Sequence, residues 1–282
     1  MIETAQQFGA DQNLIGVLTE PDGGPQPAPI AFLLYNAGVI PRLGPHRLNV
    51  KLARALAAHG QTTLRLDLNG HGDSGRARAD DGPDDPHVSD LKAAMNHLQA
   101  TRGITRFALI GICSGAVLAY NVSLADPRVA AVMMFDGFWF RTRWSRMVRH
   151  WKRLREKSPP DALQAMRNQL SRLLGLRPRV DGPVTGVYGA GQGPARFEFA
   201  AALQRLVDRG TAVFVVYSGS ILDYYCYAAQ FHHAFVGEPW LAAVRCEFRP
   251  DIDHSFVSLQ TQQRLVDLVS GWLPEVKRAA GQ

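Results

Sequence analysis

The chain has 282 residues, 46% of them hydrophobic and 20% charged, with a formal net charge of +6. That length suits one α/β domain with an insertion, or two small domains, and a substantial core. No charged segment leads into an apolar run at the start, and no apolar run approaches the ~20 residues of a spanning helix, so neither a secretory leader nor a membrane span is expected.

Three cysteines, Cys113, Cys226 and Cys246, form no C-x-x-C pair and no metal-ligand spacing. Reduced thiols in the cytoplasm fit this usage, and neither a metal nor a cofactor is expected. The basicity is concentrated. Twelve of the 31 Lys and Arg residues fall between 138 and 180 against two acids, Glu156 and Asp161, so this segment carries +10 and the rest of the chain −4. An acidic partner or anionic surface should meet that segment.

In chain order, residues 1–29 hold a strand signal at Leu14–Thr19 and then a turn-rich Pro/Gly run. Ile30–Tyr35 is continuously apolar, as a strand covered on both faces would be. Leu48, Val50, Leu52, Leu56 and Ala57 recur at helical spacing, and Gly60 ends that helix. Thr62–Leu66 is the next strand, followed by a polar loop from Asp67 to Gly75. Ser89–Ala100 reads as a helix capped by Ser89. Val129–Phe135 is a buried strand that ends at Asp136-Gly137. Strands alternating with helices argue for a mostly parallel sheet with helices on both faces.

After Gly137 the pattern changes. Trp144, Met147, Val148, Trp151 and Leu154 form one apolar stripe with arginines opposite, and Leu163, Met166, Leu170, Leu173 and Leu174 form a second. Two amphipathic helices at 138–180 read as a small basic cap inserted into a core made of 1–137 and 181–282. A strand at Val184–Tyr188, a helix at Arg196–Val207, strands at Ala212–Tyr217 and Val244–Phe248, and a closing helix at Leu259–Leu273 complete the core.

The stretch from Phe107 to Ala116 carries the chemistry. It reads as buried strand, sharp turn, helix, with Gly111 and Gly115 two residues either side of Cys113. That is the spacing of a nucleophile elbow, G-x-S-x-G, with sulfur in place of the serine oxygen. The flanks of such a turn must be small. Ser114 as nucleophile would put Ile112 at a flank, so Cys113 is the candidate. The alternative is a small cysteine buried in a strand-to-helix contact.

Four pieces then stand in one order: the Asn36-Ala37-Gly38 turn after an early strand, the loop from Asp67 through Gly70-His71-Gly72-Asp73-Ser74, the elbow at Cys113, and the late Asp253-His254-Ser255-Phe256. Together they resemble the α/β-hydrolase superfamily over nearly the whole chain. In its cysteine the chain is similar to the dienelactone hydrolases and to cyclase-type relatives of polyketide and peptide thioesterases. It resembles more loosely the bacterial hydrolases associated with exopolysaccharide export.

The resemblance implies an α/β-hydrolase fold and a Cys-His-Asp triad. Cys113 would attack a carbonyl, and His254, the one histidine in a loop after the last strand, would carry the proton. His71 is expected to shape the floor of the site. Two aspartates compete for the acid role. Asp223 follows the strand before His254, the usual place in the superfamily, and is preferred. Asp136 follows the strand directly after the elbow helix, where carrier-protein thioesterases and related cyclases often place theirs. The oxyanion hole should come from the backbone N–H groups of Ser114 and Val39.

Acyl transfer from a thioester or activated ester is the expected reaction, finished by hydrolysis or cyclisation, with an acidic acyl or peptidyl carrier protein on the basic cap as one expected donor. A carboxylesterase or lactone hydrolase acting on small free esters is the alternative. A non-catalytic binder, in which Cys113 marks a lapsed serine site, is the reading outside enzymology, and the presence of His254 and the flanking glycines speaks against it. Nucleic acid is not expected, because no binding module is recognisable and the tryptophans follow the apolar stripe.

Overall fold

The computed structural model describes residues 1–23, 30–76, 85–145, 147–149 and 193–282. The expected strand at Val184–Tyr188 and most of the expected cap, beyond residue 149, lie outside the described residues.

Eight strands form one sheet in the order β1-β2-β4-β3-β5-β6-β7-β8. They are β1 Ile2–Phe8, β2 Leu14–Glu20, β3 Ile30–Leu34, β4 Thr62–Leu66, β5 Arg106–Ile112, β6 Val129–Phe135, β7 Ala212–Ser218 and β8 Arg245–Arg249. The pairings β1/β2 and β2/β4 are antiparallel, and every pairing from β4 to β8 is parallel. Strands β3, β4 and β6 are buried at every residue, as parallel strands sandwiched between helical layers must be.

The larger described helices are α1 Leu48–Ala58, α2 Pro86–Arg102, α3 Ser114–Ala125, α4 Arg196–Asp208, α5 Gln230–Ala234 and α6 Leu259–Ala280. Residues alternate across the sheet. Phe107 and Leu109 of β5 join the core beneath α2, α3 and α4. Ala108 and Ile110 join the core beneath α1 and α6. The elbow strand is thereby clamped from both faces, and its C-terminal end is the rigid platform of the site. No described helix is long and apolar enough to cross a membrane.

Three elements differ from the sequence expectation. Strand β1 carries no apolar run. It is an edge strand, exposed or half-exposed along most of its length, and it exists because it pairs residue by residue with β2. Helix α2 starts three residues before Ser89, because Asp85 rather than Ser89 caps it and accepts from His87 N at 2.9 Å. Helix α6 runs through Pro274 to Ala280. The proline removes one backbone hydrogen bond, but the turn beyond it buries Val276 completely, and this burial offsets the loss.

The first residues after β6 are anchored on the core. The ring of Phe138 meets Tyr120 and Phe199, Trp139 meets Tyr224, and Thr142 Oγ1 lies 2.7 Å from Tyr227 Oη. Trp144, Met147 and Val148, which share the first apolar stripe, are exposed.

Candidate active site

Cys113 joins β5 to α3 with φ 58° and ψ −120°, a conformation that costs a side-chain-bearing residue about 1–3 kcal/mol. The surroundings hold it there. Its N–H donates to Phe135 O at 2.9 Å, and its carbonyl accepts from Ala116 N at 3.0 Å. A Cβ at Gly111 would lie 2.3 Å from Gly115 O and 2.7 Å from Ala116 Cα, so only glycine lets strand and helix approach this closely. On the far side of the turn, the fully buried Tyr35 donates from its hydroxyl to Gly115 O at 3.0 Å. Burial pushes that phenol's pKa far up, so it stays a donor.

His254 sits in the loop between β8 and α6. Its backbone N–H donates to Ser220 Oγ at 2.8 Å, and its Nδ1 lies 2.7 Å from Asp136 Oδ2. The bond to Asp136, and then the nearby Cys113, raise the imidazole pKa to about 10 against the opposing effect of burial. At neutral pH the ring therefore holds its proton.

Asp136 is the first residue after β6, buried and at φ 51°. Its carboxylate is fully engaged. Oδ1 accepts from Ser218 N at 2.8 Å, and Oδ2 accepts from Ser218 Oγ at 2.6 Å as well as facing His254. Ser218 ends β7, and Ser220 lies two residues on, so one short turn holds both Asp136 and His254. Gly219 between them is forced, because a Cβ there would lie 2.3 Å from Pro250 O.

The structure therefore joins Cys113, His254 and Asp136 and leaves Asp223 apart. The groups acting on His254 are Asp136 and Cys113; Asp223 is not one of them. Its backbone carbonyl instead accepts from Arg149 Nη1 at 3.2 Å, at the start of the basic segment. The physical reason is local. The 3-10 turn Gly219–Ile221 directs the chain away after β7, so Asp223 arrives too late to meet the imidazole.

Of the expected oxyanion donors, Ser114 opens α3, where no side chain caps the helix. The first N–H groups of a helix lack internal acceptors. Val39 is 86% exposed, and the neighbouring Gly38 N–H donates to Ser114 Oγ at 2.8 Å. The loop that carries both is fixed by Asp67, which is wholly buried. Asp67 accepts from Arg42 N at 2.6 Å, from the Arg42 guanidinium, from Asn36 Nδ2 at 3.3 Å and from Asp73 N at 3.1 Å. Asn36 Oδ1 in turn accepts from Leu68 N at 2.7 Å. The polar loop after β4 thus serves as a bracket for the loop after β3.

A cavity of about 370 Å³ has Cys113 in its wall. The β3 loop contributes Ala37, Gly38 and Ile40, the turn before α1 contributes Gly44, Pro45 and His46, and the elbow and the loop before α6 contribute Ile112, Cys113, His254 and Ser255. Its described wall holds no carboxylate and no Lys or Arg. His71, expected at the floor, is not part of it; that ring lies edge-on to His87, 5.3 Å away. His46 is, held at φ 48° beside Arg47 at φ 62°. No sequence pattern marks His46, Ser218 or Ser220, since each matters through where the backbone brings it. Among the described residues no three His, Cys, Asp or Glu side chains converge where a metal ion could sit.

A strained elbow after the fifth strand, with a histidine arriving from the loop after the last one, defines the class: the chain has the α/β-hydrolase fold. The family described as Serine aminopeptidase, S33 matches residues 45–178, a span that includes the elbow and Asp136 and ends before His254. An esterase of Pyrococcus furiosus has a similar structure (TM-score 0.59, 14% identity, covering 97% of this chain and 91% of that one). So have the proline iminopeptidase of Mycobacterium smegmatis (TM-score 0.57, 17% identity, 99% and 100%) and the alpha/beta hydrolase GrgF from Penicillium sp. sh18 (TM-score 0.55, 18% identity, all of both chains). No curated protein matches the chain in sequence.

Proposed function

We propose that the protein is an acyl-transfer enzyme that uses Cys113, His254 and Asp136 on a thioester or activated ester. The observation that carries this reading is a cysteine on a strained turn sharing one cavity wall with His254, whose imidazole is hydrogen-bonded to the buried carboxylate of Asp136.

With His254 holding the proton, the sulfur attacks as thiolate. The C–S bond forms as the carbonyl π pair moves onto oxygen, toward the N–H groups of Ser114 and Val39. That pair returns as the leaving-group bond breaks, and His254 gives its proton to the departing sulfur or oxygen. His254 then takes a proton from an incoming water or an internal hydroxyl as it attacks the acyl-Cys113 thioester. Acid or cyclised product leaves, and Cys113 and His254 return to their starting state.

The cavity supports an acyl group without a charged end, since an ammonium would meet no carboxylate on the described wall. Such a wall speaks against a substrate held by a free N-terminus. Residues 138–180 are proposed as the basic cap, where an acidic carrier protein would dock. Exchanging Arg149 for Glu should then slow a carrier-bound donor several-fold and leave a small-ester rate unchanged. Three cysteines outside any disulfide favour a reducing compartment such as the cytoplasm. A carboxylesterase or lactone hydrolase is the second reading, favoured by a cavity open to small neutral esters and by the likeness to an esterase.

An intact-mass experiment tests the proposal. Incubation with S-acetyl-N-acetylcysteamine, and separately with a p-nitrophenyl ester, should add one acyl mass that maps to Cys113 and is lost in Cys113→Ala. Acylation by the free ester alone would favour the second reading. Acyl mass on Cys226 or Cys246, or none at all, would overturn the proposal.

A further inference from the structure

The mechanism above uses the backbone of Ser114 and leaves its hydroxyl idle. Yet that hydroxyl is held in place. Gly38 N–H donates to Ser114 Oγ at 2.8 Å, and Gly38 shares the cavity wall with Cys113. A serine hydroxyl has one proton to give and lone pairs to receive with. Here the oxygen receives, and its own proton has no acceptor among the described residues on an exposed side chain. Accepting a bond from Gly38 polarises the O–H and makes it a better donor.

We infer that the Ser114 hydroxyl, polarised by Gly38 N–H, is itself an oxyanion donor to the carbonyl oxygen of a substrate attacked by Cys113. The inference rests on acyl transfer at Cys113. No proton is transferred in this step. The hydroxyl stabilises the oxygen while it holds the π pair, and releases it when the leaving-group bond breaks.

The same bond also ties the elbow to the β3 loop, so the test separates the two roles. Alkylation by iodoacetamide displaces iodide from a saturated carbon and forms no oxyanion, whereas acylation does. In Ser114→Ala, acylation by p-nitrophenyl acetate should fall about 10- to 100-fold at unchanged KM, while the rate of Cys113 alkylation stays within about twofold of wild type. Ser114→Thr and Ser114→Val share one shape and differ by the hydroxyl. Thr should acylate faster than Val by a similar factor, which decides the matter even where the alanine variant folds poorly.

Acylation of Ser114→Ala at the wild-type rate or faster would overturn the role. So would a parallel fall in acylation and alkylation with no difference between Thr and Val, which marks a structural bolt. An acyl-enzyme in wild type combined with either result removes this inference alone. No acyl-enzyme in wild type removes the proposed function with it.

Discussion

The ends of β6 and β7 lie side by side, with Phe135 paired to Val216, and they do opposite work. The β6 end supplies the carboxylate, Asp136, in a left-handed conformation. The β7 end supplies only donors and an acceptor: Ser218 N and Oγ to Asp136, and Ser220 Oγ to the His254 backbone. In the superfamily the chain resembles, the acid usually stands after β7, and there the sequence offers Asp223. The geometry places the charge one strand earlier and leaves β7 to hold it. What the imidazole requires is a carboxylate within hydrogen-bonding distance of Nδ1, and either strand end could present one.

Replacing each aspartate by asparagine breaks this comparison most sharply. Asp136→Asn should lower kcat/KM for the acyl donor by about 10³-fold or more, because the ring loses its charged partner and its orientation. Asp223→Asn should stay within about twofold of wild type. Steady-state kinetics on both variants decides between the two strand ends. A collapse in Asp223→Asn with a mild effect in Asp136→Asn would reverse the assignment.

The pH profile sharpens the contrast. Asp136, the main cause, holds the His254 pKa at about 10. Activity that needs the imidazolium should hold through neutral pH and decline as pH rises through about 10. The residual activity of Asp136→Asn should decline at a lower pH, toward the ordinary histidine value of ~6.5. Stability follows the same sign. The stability contributed by the raised pKa is complete below about 6.5 and lost as pH rises through about 10, which thermal melts across that range would record.

Smaller effects belong to the β7 turn. Ser218→Ala removes a hydrogen bond to a buried charge and should cost about 10-fold in kcat at unchanged KM. Ser220→Ala removes a neutral, more exposed bond to the loop and should cost about threefold. Equal wild-type rates in both would mean that the turn does not position the acid and base.

Much of this site is written into local pattern. Gly111 and Gly115 flank Cys113 because strand and helix meet there without room for a side chain, and glycine spacing carries that information. His254 is legible because it stands in the loop after the last strand. The carboxylate that meets the imidazole is not, because Asp136 and Asp223 both follow buried strands, and only the three-dimensional bridge to Nδ1 separates them. Ser218 and Ser220 look like any turn serines. His46 looks like a loop histidine until the backbone turns it into the cavity wall. In the fold, the central strands announce themselves by burial on both faces. Edge strand β1 exists through its partner and leaves no apolar trace, and Pro274 misleads because distant burial outweighs its local cost.

The central claim is that the Cys113 sulfur works as one unit with His254. Alkylation rates by iodoacetamide, read thiol by thiol by peptide mass spectrometry at pH 6, test it most directly. Burial pushes the Cys246 thiol up to about 12, which keeps it out of the competition. The account predicts that Cys113 reacts ahead of both Cys226 and Cys246, and that His254→Ala slows it at least about 10-fold. Cys226 reacting first, or a Cys113 rate unchanged by His254→Ala, would contradict it.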